Sequence, residues 1–226
     1  MIRMTAVSKQ YGSKQVLSNI NLEYEPGNVY GLVGANGAGK TTLFRCIAGL
    51  ETFQGEIGSS MKPLKNHLGF LLTEPFFFPR MTGGEYINLH ALARGNELPD
   101  LSRNNIFELP LNQYVSTYST GMKRKLAITA LILQGNACYI FDEPYNGLDM
   151  QGAFILTGII RKLKSLGKTV LVSSHILSTV MEVCDEIDLL SDGIHQRRIP
   201  REEFPKLESE LRHSMIGNRI DRLDLR

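Results

Sequence analysis

The sequence has few cysteines, little net charge and no long apolar run, and each of these shortages argues against a class of protein. Cys46, Cys138 and Cys184 form no C-x-x-C pair and lie in apolar stretches, which predicts buried, reduced thiols in a reducing compartment. The net charge of +2 gives no electrostatic case for nucleic-acid binding. The longest apolar run, Leu126 to Leu133, is too short to cross a bilayer, and no signal pattern opens the chain. Any membrane role is therefore expected to come through a partner.

The 226 residues are enough for one large α/β domain with a substantial core. Apolar β-type runs alternate with helical patterns, which predicts parallel strands joined by crossover helices. The clearest core strands are residues 30–33, 138–141 and 169–173.

The residue pattern of the sequence changes between Thr73 and Tyr118, where prolines interrupt it. Helical patterns remain near Gly84 to Arg94 and Ser102 to Leu109, which indicates a helical subdomain inserted into the core. We therefore expect one domain with a core of residues 1–73 and 136–200, a helical subdomain of residues 74–135 and a tail of residues 201–226. The tail is rich in charge, which favours a solvated helix or a frayed end over a docking element.

Residues 34–41 spell the full G-x-x-x-x-G-K-S/T phosphate-binding loop. Its glycines allow backbone N–H groups to turn toward a phosphate, and Lys40 supplies a positive charge for the β- and γ-phosphates. The Thr41 hydroxyl is suited to Mg²⁺. A strand precedes the loop, and a helix over Lys40 to Ala48 is predicted to follow it, so the phosphates would meet the positive end of a helix dipole.

A second candidate site follows the apolar run of residues 137–141. Asp142 and Glu143 come at the end of a predicted buried strand, at the edge where ligands bind in such sheets. Asp142 suits a carboxylate of a Mg²⁺ site, while Glu143, one residue on, can polarise the water that attacks the γ-phosphate. By itself an Asp-Glu pair is often only a helix cap. The phosphate-binding loop favours the catalytic interpretation.

A third element is the stretch Tyr118-Ser119-Thr120-Gly121-Met122, which precedes a helix predicted to run to Gln134 and stop at Gly135. Ser119 or Thr120 can cap the helix, and three cations, residues 123–125, crowd its first turn. A helix N-terminus with a hydroxyl, N–H groups and nearby cations suits a γ-phosphate. Read alone, the stretch is equally consistent with a capped helix carrying a solvated basic face.

With these motifs in order, residues 2 to 200 resemble the nucleotide-binding subunit of an ABC transporter. The Ser-x-Gly core of Ser119 and Gly121 resembles the signature motif of that family, and residues 146–149 resemble the loop that faces a partner cassette. The resemblance implies that Tyr11 stacks on adenine and that His175 contacts the γ-phosphate and assists Glu143 and Lys40 in catalysis. It assigns the rest of the nucleotide site to Gly34, Asn36, Gly37, Ala38, Gly39, Lys40, Thr41 and Thr42. An amino-terminal tyrosine is by itself as easily a core residue, and a lone histidine after a strand is usually structural.

One position departs from the family pattern. The family usually carries a glutamine after the strand near residues 68–72, and it approaches Mg²⁺ and the water. This chain has Thr73, which we expect at the metal site with Thr41 and Asp142 but which is too short to reach the same place unaided. Glu74 or a bridging water could substitute. Alternatively, residues 73–75 are only a turn that ends a strand.

The resemblance implies a P-loop α/β fold with an antiparallel β region and an inserted helical subdomain. It implies ATP and Mg²⁺ as ligands, ATP hydrolysis coupled to transport, and a second cassette in an ATP-linked homodimer. It also implies a membrane-spanning permease that holds the chain at the inner face of the membrane. The form of the signature and residues 74–79 resemble exporters of drugs, peptides or antibiotics. Phe76 to Phe78 are either a docking patch for the permease or core of the helical subdomain.

Two alternatives from other classes stay open at this point. The first is a soluble ABC-type ATPase of translation or DNA maintenance. A single cassette without a long heptad insertion argues against it. The second is a regulatory cassette that does not hydrolyse ATP. The intact Glu143 argues against it, although Thr73 leaves an opening.

Overall fold

The computed structural model describes residues 1–207 and residue 209, and it places their strands in two sheets. The strands are β1 (Ile2–Tyr11), β2 (Lys14–Tyr24), β3 (Val29–Val33), β4 (Gln54–Ser59), β5 (Leu68–Leu71), β6 (Cys138–Phe141), β7 (Thr169–Ser174), β8 (Glu186–Ser191) and β9 (Ile194–Pro200). The α-helices are α1 (Lys40–Ile47), α2 (Gly83–Leu92), α3 (Leu101–Asn104), α4 (Thr120–Ile132), α5 (Met150–Ser165) and α6 (Leu177–Val183).

The larger sheet has six strands in the order β5-β6-β7-β3-β8-β9. All its neighbouring strands run parallel except β8 and β9, which form an antiparallel hairpin. Every residue of β3, β6 and β7 is buried, which is why these strands read as continuous apolar runs rather than alternating ones. Their carboxyl ends meet at one edge, so the segments that follow Val33, Phe141 and Ser174 lie side by side.

The smaller sheet is antiparallel, in the order β2-β1-β4. Helix α1 lies in the core between the two sheets, where Leu43, Phe44 and Ile47 are buried against apolar residues of both. The P-loop α/β fold with an antiparallel β region is thus confirmed. The three cysteines are buried and unpaired, as expected.

The segment between β5 and β6 holds α2, α3 and α4. A reciprocal capping box between Thr82 and Glu85 begins α2, and α4 packs on α2 and β5. Ser119 caps α4, whose C-terminal end is followed by Gly135 at a φ of 68°. The boundaries of a separate helical subdomain stay a prediction.

The helix expected over Ser102 to Leu109 is wrong beyond its first turn. α3 ends at Asn104, and the side chain of Asn105 then bonds both the N–H and the carbonyl of Leu109. This side-chain bridge takes the backbone groups that a continued helix would need.

The expectation of a solvated tail is also wrong at its start. Phe204 and Leu207 are buried in the core that covers one face of the larger sheet. Residue 208 and residues 210–226 of the predicted tail lie outside the described residues. Within the described part of the chain, no helix is long and apolar enough to cross a membrane.

Candidate active site

The loop of residues 34–39 needs glycine at specific points because other backbone atoms approach it closely. A Cβ on Gly34 would lie 2.2 Å from the carbonyl oxygen of Leu190. Gly39 has a φ of 105°, and a Cβ there would lie 3.0 Å from the carbonyl oxygen of Val16. α1 starts immediately after Gly39, so the N–H groups of its first turn face the loop.

Lys40 joins the loop to the second motif. Its ammonium Nζ donates to the carbonyl of Gly34 at 2.7 Å and of Ala35 at 3.3 Å. It also lies 3.5 Å from Oε1 of Glu143, and both side chains are almost fully buried. The positive charge is therefore held between the phosphate-binding loop and the carboxylate at the end of β6.

Asp142 gathers hydroxyl groups from three separate elements. Its Oδ1 accepts a hydrogen bond from Ser173 at 2.6 Å. Its Oδ2 accepts from Thr41 at 2.6 Å and from Thr73 at 2.6 Å. The carboxylate is fully buried, and these charge-assisted hydrogen bonds compensate its burial. Although Thr73 is short, its hydroxyl reaches the Asp142 carboxylate directly, while Glu74 is exposed.

Glu143 adopts a left-handed backbone with a φ of 47°, which is uncommon for a residue with a side chain. Its N–H donates to Ser173 Oγ at 2.9 Å, and its Oε2 lies 2.8 Å from Nδ1 of His175. The main-chain N–H of His175 donates to the same oxygen at 3.4 Å. The end of β7 thus holds both the backbone and the carboxylate of Glu143, which stabilises a strained conformation at the mouth of the site.

A cavity of about 610 Å³ lies over the loop. The predicted site residues that line it are Tyr11, Asn36, Gly37, Gly39, Lys40, Thr41, Thr42, Thr73, Glu143 and His175. Gly34, Ala38 and Asp142 are not among the lining residues in the part of the chain that the structure describes; Ala38 and Asp142 are buried, and Gly34 is half-buried. Among the residues that the structure describes around it, Ser119 and Gly121 do not line it.

Six lining residues were not among the predicted site residues, namely Lys14, Gln15, Val16, Asn146, Asp192 and Gly193. Asn146 belongs to the loop that resembles a partner-facing one. The other five come from the start of β2 and from the turn between β8 and β9, and they belong to none of the motifs. Of these, Gly193 has a sequence signal that could have marked it, because Asp-Gly is typical of hairpin turns. Its φ is 75°, and a Cβ there would lie 2.2 Å from the carbonyl oxygen of Val16.

Tyr11 is not a core residue, since its side chain is 42% exposed at the rim of the cavity. The Nζ of Lys9 lies 4.6 Å from the centre of the Tyr11 ring and is itself paired with Glu51 at 3.0 Å. Desolvation and the nearby Glu51 raise the pKa of the Tyr11 hydroxyl, so the ring is neutral at physiological pH. A neutral aromatic surface is available to a planar ligand.

The cations near the start of α4 were predicted to lie near a bound phosphate, and the structure gives two of them partners within this chain. Ser119 Oγ accepts from the N–H of Met122 at 3.2 Å, as expected of a cap. Lys125 instead pairs with Asp149 at 2.8 Å, and Arg124 is buried against main-chain carbonyls. The prediction is wrong for Arg124, because its donors are taken by carbonyls of this chain. For Lys125 it stays a prediction.

The three phenylalanines separate into two environments. Phe77 packs against Tyr86, with ring centres 4.8 Å apart, and belongs to the core. Phe76 and Phe78 are exposed and meet edge to face at 5.1 Å. They border a groove of about 490 Å³ lined by Leu50, Phe70 and Leu72 among others.

The ABC transporter family profile matches residues 17–146. The chain is similar to the lantibiotic transport ATP-binding protein SrtF of Streptococcus pyogenes, at 32% identity over 207 residues, covering 85% of this chain and 88% of the relative. It is also similar to the bacitracin transport ATP-binding protein BcrA of Bacillus licheniformis, at 29% identity over 219 residues, covering 91% of this chain and 72% of the relative.

Two solved structures have the same architecture. An ATP-binding subunit of an ABC transporter aligns with a TM-score of 0.83 and 28% identity, covering 94% of this chain and 99% of that one. A dimeric bacterial ABC transporter cassette aligns with a TM-score of 0.81 and 22% identity, covering 89% of this chain and 99% of that one. The second likeness bears on the fold alone.

Proposed function

The chain belongs to the ABC transporter family as an ATP-binding, ATP-hydrolysing subunit, and from this premise we propose which of its residues carry out the reaction. The cavity over the phosphate-binding loop is the ATP site, and Glu143 is the group that positions the attacking water. The observation that carries this proposal is the convergence of Lys40, Glu143 and His175 from three elements on one cavity. Asp142 lies behind them and accepts hydrogen bonds from the lining residues Thr41 and Thr73.

Each residue then has a role that follows from its contacts. The N–H groups at the start of α1 and the Lys40 ammonium bind the phosphate oxygens, where negative charge is concentrated. Glu143 accepts a proton from the attacking water as the new bond to the γ-phosphate forms. His175 holds the Glu143 carboxylate at 2.8 Å and so fixes its orientation.

The residues around Asp142 fit a magnesium ion. They offer one carboxylate and the hydroxyls of Thr41 and Thr73, which are the hard oxygen donors that Mg²⁺ prefers. Among residues 1–207 and 209, no cluster of three or more His, Cys, Asp or Glu could hold a metal alone. This agrees with an ion that is shared with nucleotide phosphates, and such an ion supplies charge neutralisation on the β- and γ-phosphates when bound.

The site is completed by a second cassette. Ser119 lies at the N-terminus of α4, which has N–H groups and a hydroxyl suited to a γ-phosphate, yet it does not line the cavity over the loop of its own chain in the structure as described. We propose that two copies associate head to tail, so that the Ser119 and Gly121 of one cover the ATP bound by the other.

A membrane-spanning permease is the proposed transport partner. The groove beside Phe76 and Phe78 is the candidate contact, because two large apolar side chains are exposed together there. The proposal places the chain at the inner face of the membrane, and the named transport of lantibiotics and bacitracin by relatives favours export of a peptide or antibiotic. Co-purification with a membrane protein tests this proposed contact. When the chain carries Phe76→Ser and Phe78→Ser, we expect that membrane protein to be lost from the purified sample.

Release of inorganic phosphate from MgATP by the purified chain tests the proposed reaction. We expect slow turnover, with a rate per chain that rises with protein concentration, since each site needs a second copy. Tight ATP binding without phosphate release at any concentration would instead mark a regulatory cassette.

Replacement of Tyr11 by alanine is expected to weaken ATP binding by about 1–3 kcal/mol, the usual range for stacking of a base on an aromatic ring. Tyr11→Phe keeps the ring and is expected to bind almost normally. Titration with a fluorescent ATP analogue measures both. Equal affinities of the Ala and Phe variants would show that the ring does not stack on the base.

A further inference from the structure

Arg124 is an arginine buried at the start of α4, with only 4% of its surface exposed. Its guanidinium meets main-chain carbonyls rather than a carboxylate. Nε donates to Pro144 at 3.3 Å, Nη1 donates to Leu72 at 2.8 Å and Thr73 at 2.9 Å, and Nη2 donates to Asp142 at 2.9 Å and to Glu143. A guanidinium has five N–H donors, so these five bonds match its full capacity.

The five carbonyls belong to two segments that come from different strands. Leu72 and Thr73 leave the end of β5, while Asp142, Glu143 and Pro144 leave the end of β6. Arg124 itself lies five residues after Ser119, the cap of α4. One planar group therefore connects α4, the Thr73 segment and the segment that carries Asp142 and Glu143.

We infer that Arg124 is a positioning residue for ATP hydrolysis, which acts by holding the backbone of Glu143 and Thr73 in register with α4. The inference rests on the proposed function, in which Glu143 positions the attacking water. Arg124 does not line the cavity over the phosphate-binding loop within the described structure, so its effect passes through these two residues.

The strained backbone of Glu143 gives this support a specific role. Glu143 has a φ of 47°, and its carbonyl is one of the two that Nη2 binds. Without the guanidinium, the carbonyl of Asp142 loses the bond from Nη2, and the carbonyl of Glu143 keeps only the N–H of Asn146 at 3.3 Å. The segment can then relax to a less strained conformation. A displacement of about 1 Å at a reacting group costs roughly 10²-fold in rate, so relaxation lowers turnover even with Glu143 present.

The same contacts predict that lysine cannot replace Arg124. A lysine keeps the positive charge, but its three donors radiate from a single nitrogen and cannot reach carbonyls on both segments in one plane. Methionine keeps a comparable apolar stem and removes both the charge and the donors. If the charge were what mattered, Arg124→Lys would be active and Arg124→Met inactive.

The test measures ATP affinity and turnover for the full chain with Arg124→Lys and Arg124→Met. Arg103→Met serves as the matched control because Arg103 is exposed on α3, within the same helical region. We expect both Arg124 variants to lose about 10²-fold in kcat while the Kd for ATP changes less than about threefold. The control is expected to match the native chain in both.

Hydrogen exchange separates positioning from general destabilisation. Faster exchange is expected in peptides that contain residues 72–75 and 142–146, with no change in the peptide that contains residues 40–47. Faster exchange throughout the chain, with Kd and kcat weakened together, would mean a structural role only and would overturn the inference. A native kcat in either Arg124 variant, including a Lys variant that is shown to be folded, would overturn the inference as well.

Glu143→Gln, measured in parallel, distinguishes the two levels of the argument. If Glu143→Gln turns over ATP normally, the proposed function fails. If Glu143→Gln is inactive while both Arg124 variants are fully active, the proposed function stands and only the role of Arg124 is wrong.

Discussion

Replacement of Glu143 by glutamine is expected to lower ATP turnover by about 10²–10⁴-fold, the usual contribution of a general base. The amide keeps the size of the side chain and an oxygen that His175 can contact, but it cannot accept the proton of the attacking water. ATP binding is expected to persist because the phosphate-binding loop is unchanged. Phosphate release and nucleotide titration on the same preparation measure the two properties separately.

Lys40→Ala is the matched comparison for Glu143→Gln, since the two groups lie 3.5 Å apart in one site. Loss of the ammonium removes charged hydrogen bonds to phosphate, which are worth about 1.5–3 kcal/mol, so affinity itself is expected to fall. Normal turnover in Glu143→Gln would contradict the assignment of the base. Unchanged affinity in Lys40→Ala would contradict the assignment of the phosphate site.

Replacement of Ser119 by arginine is expected to abolish both ATP-linked dimerisation and hydrolysis. Ser119 caps α4 at a helix end that the proposed dimer presses against the partner's ATP, so a bulky side chain there prevents closure. ATP binding to a single chain is expected to stay normal, because Ser119 does not line the cavity within the described structure. Light scattering measures dimerisation, phosphate release measures hydrolysis, and nucleotide titration measures ATP binding.

Ser165→Arg provides the control for Ser119→Arg. Ser165 is exposed at the end of α5, where a positive charge suits the helix dipole and no proposed contact is disturbed. It is expected to dimerise and hydrolyse ATP as the native chain does. A Ser119→Arg protein that turns over ATP at the native rate would exclude the head-to-tail arrangement.

The sequence was most informative where a local motif also determines the backbone. The spacing of Gly34, Gly39 and Lys40 predicted the loop and the start of α1, because only glycine fits beside the carbonyls of Leu190 and Val16. Asp142 and Glu143 were predicted at a strand end because β6 is buried throughout and appears as an apolar run.

The sequence was less informative where long-range contacts decide the structure. Lys14, Gln15 and Asp192 line the cavity because the larger sheet brings the β8–β9 turn against the start of β2, and no local motif encodes that approach. The direction of Arg124 was likewise missed. A cation in the first turn of a helix gives no sign that carbonyls from two other segments surround it.

Thr73 shows what a departure from a family pattern leaves open. The sequence predicted a side chain at the metal site that is too short to reach the place of the usual glutamine unaided. In the structure the end of β5 lies beside the end of β6, and the hydroxyl reaches Asp142 at 2.6 Å. Reach depends on where the backbone lies as well as on the length of the side chain. The neighbouring strand ends are visible only once the order of the sheet is known.

Light scattering of the Glu143→Gln protein, with and without saturating MgATP, tests the central claim most directly. The claim is that ATP binds between two copies of this chain, with the phosphate-binding loop of one facing Ser119 of the other. The predicted result is a mass near one chain without nucleotide and near two chains with it, reversed when Ser119→Arg is added to the same protein. A mass that stays at one chain with ATP bound would contradict the claim.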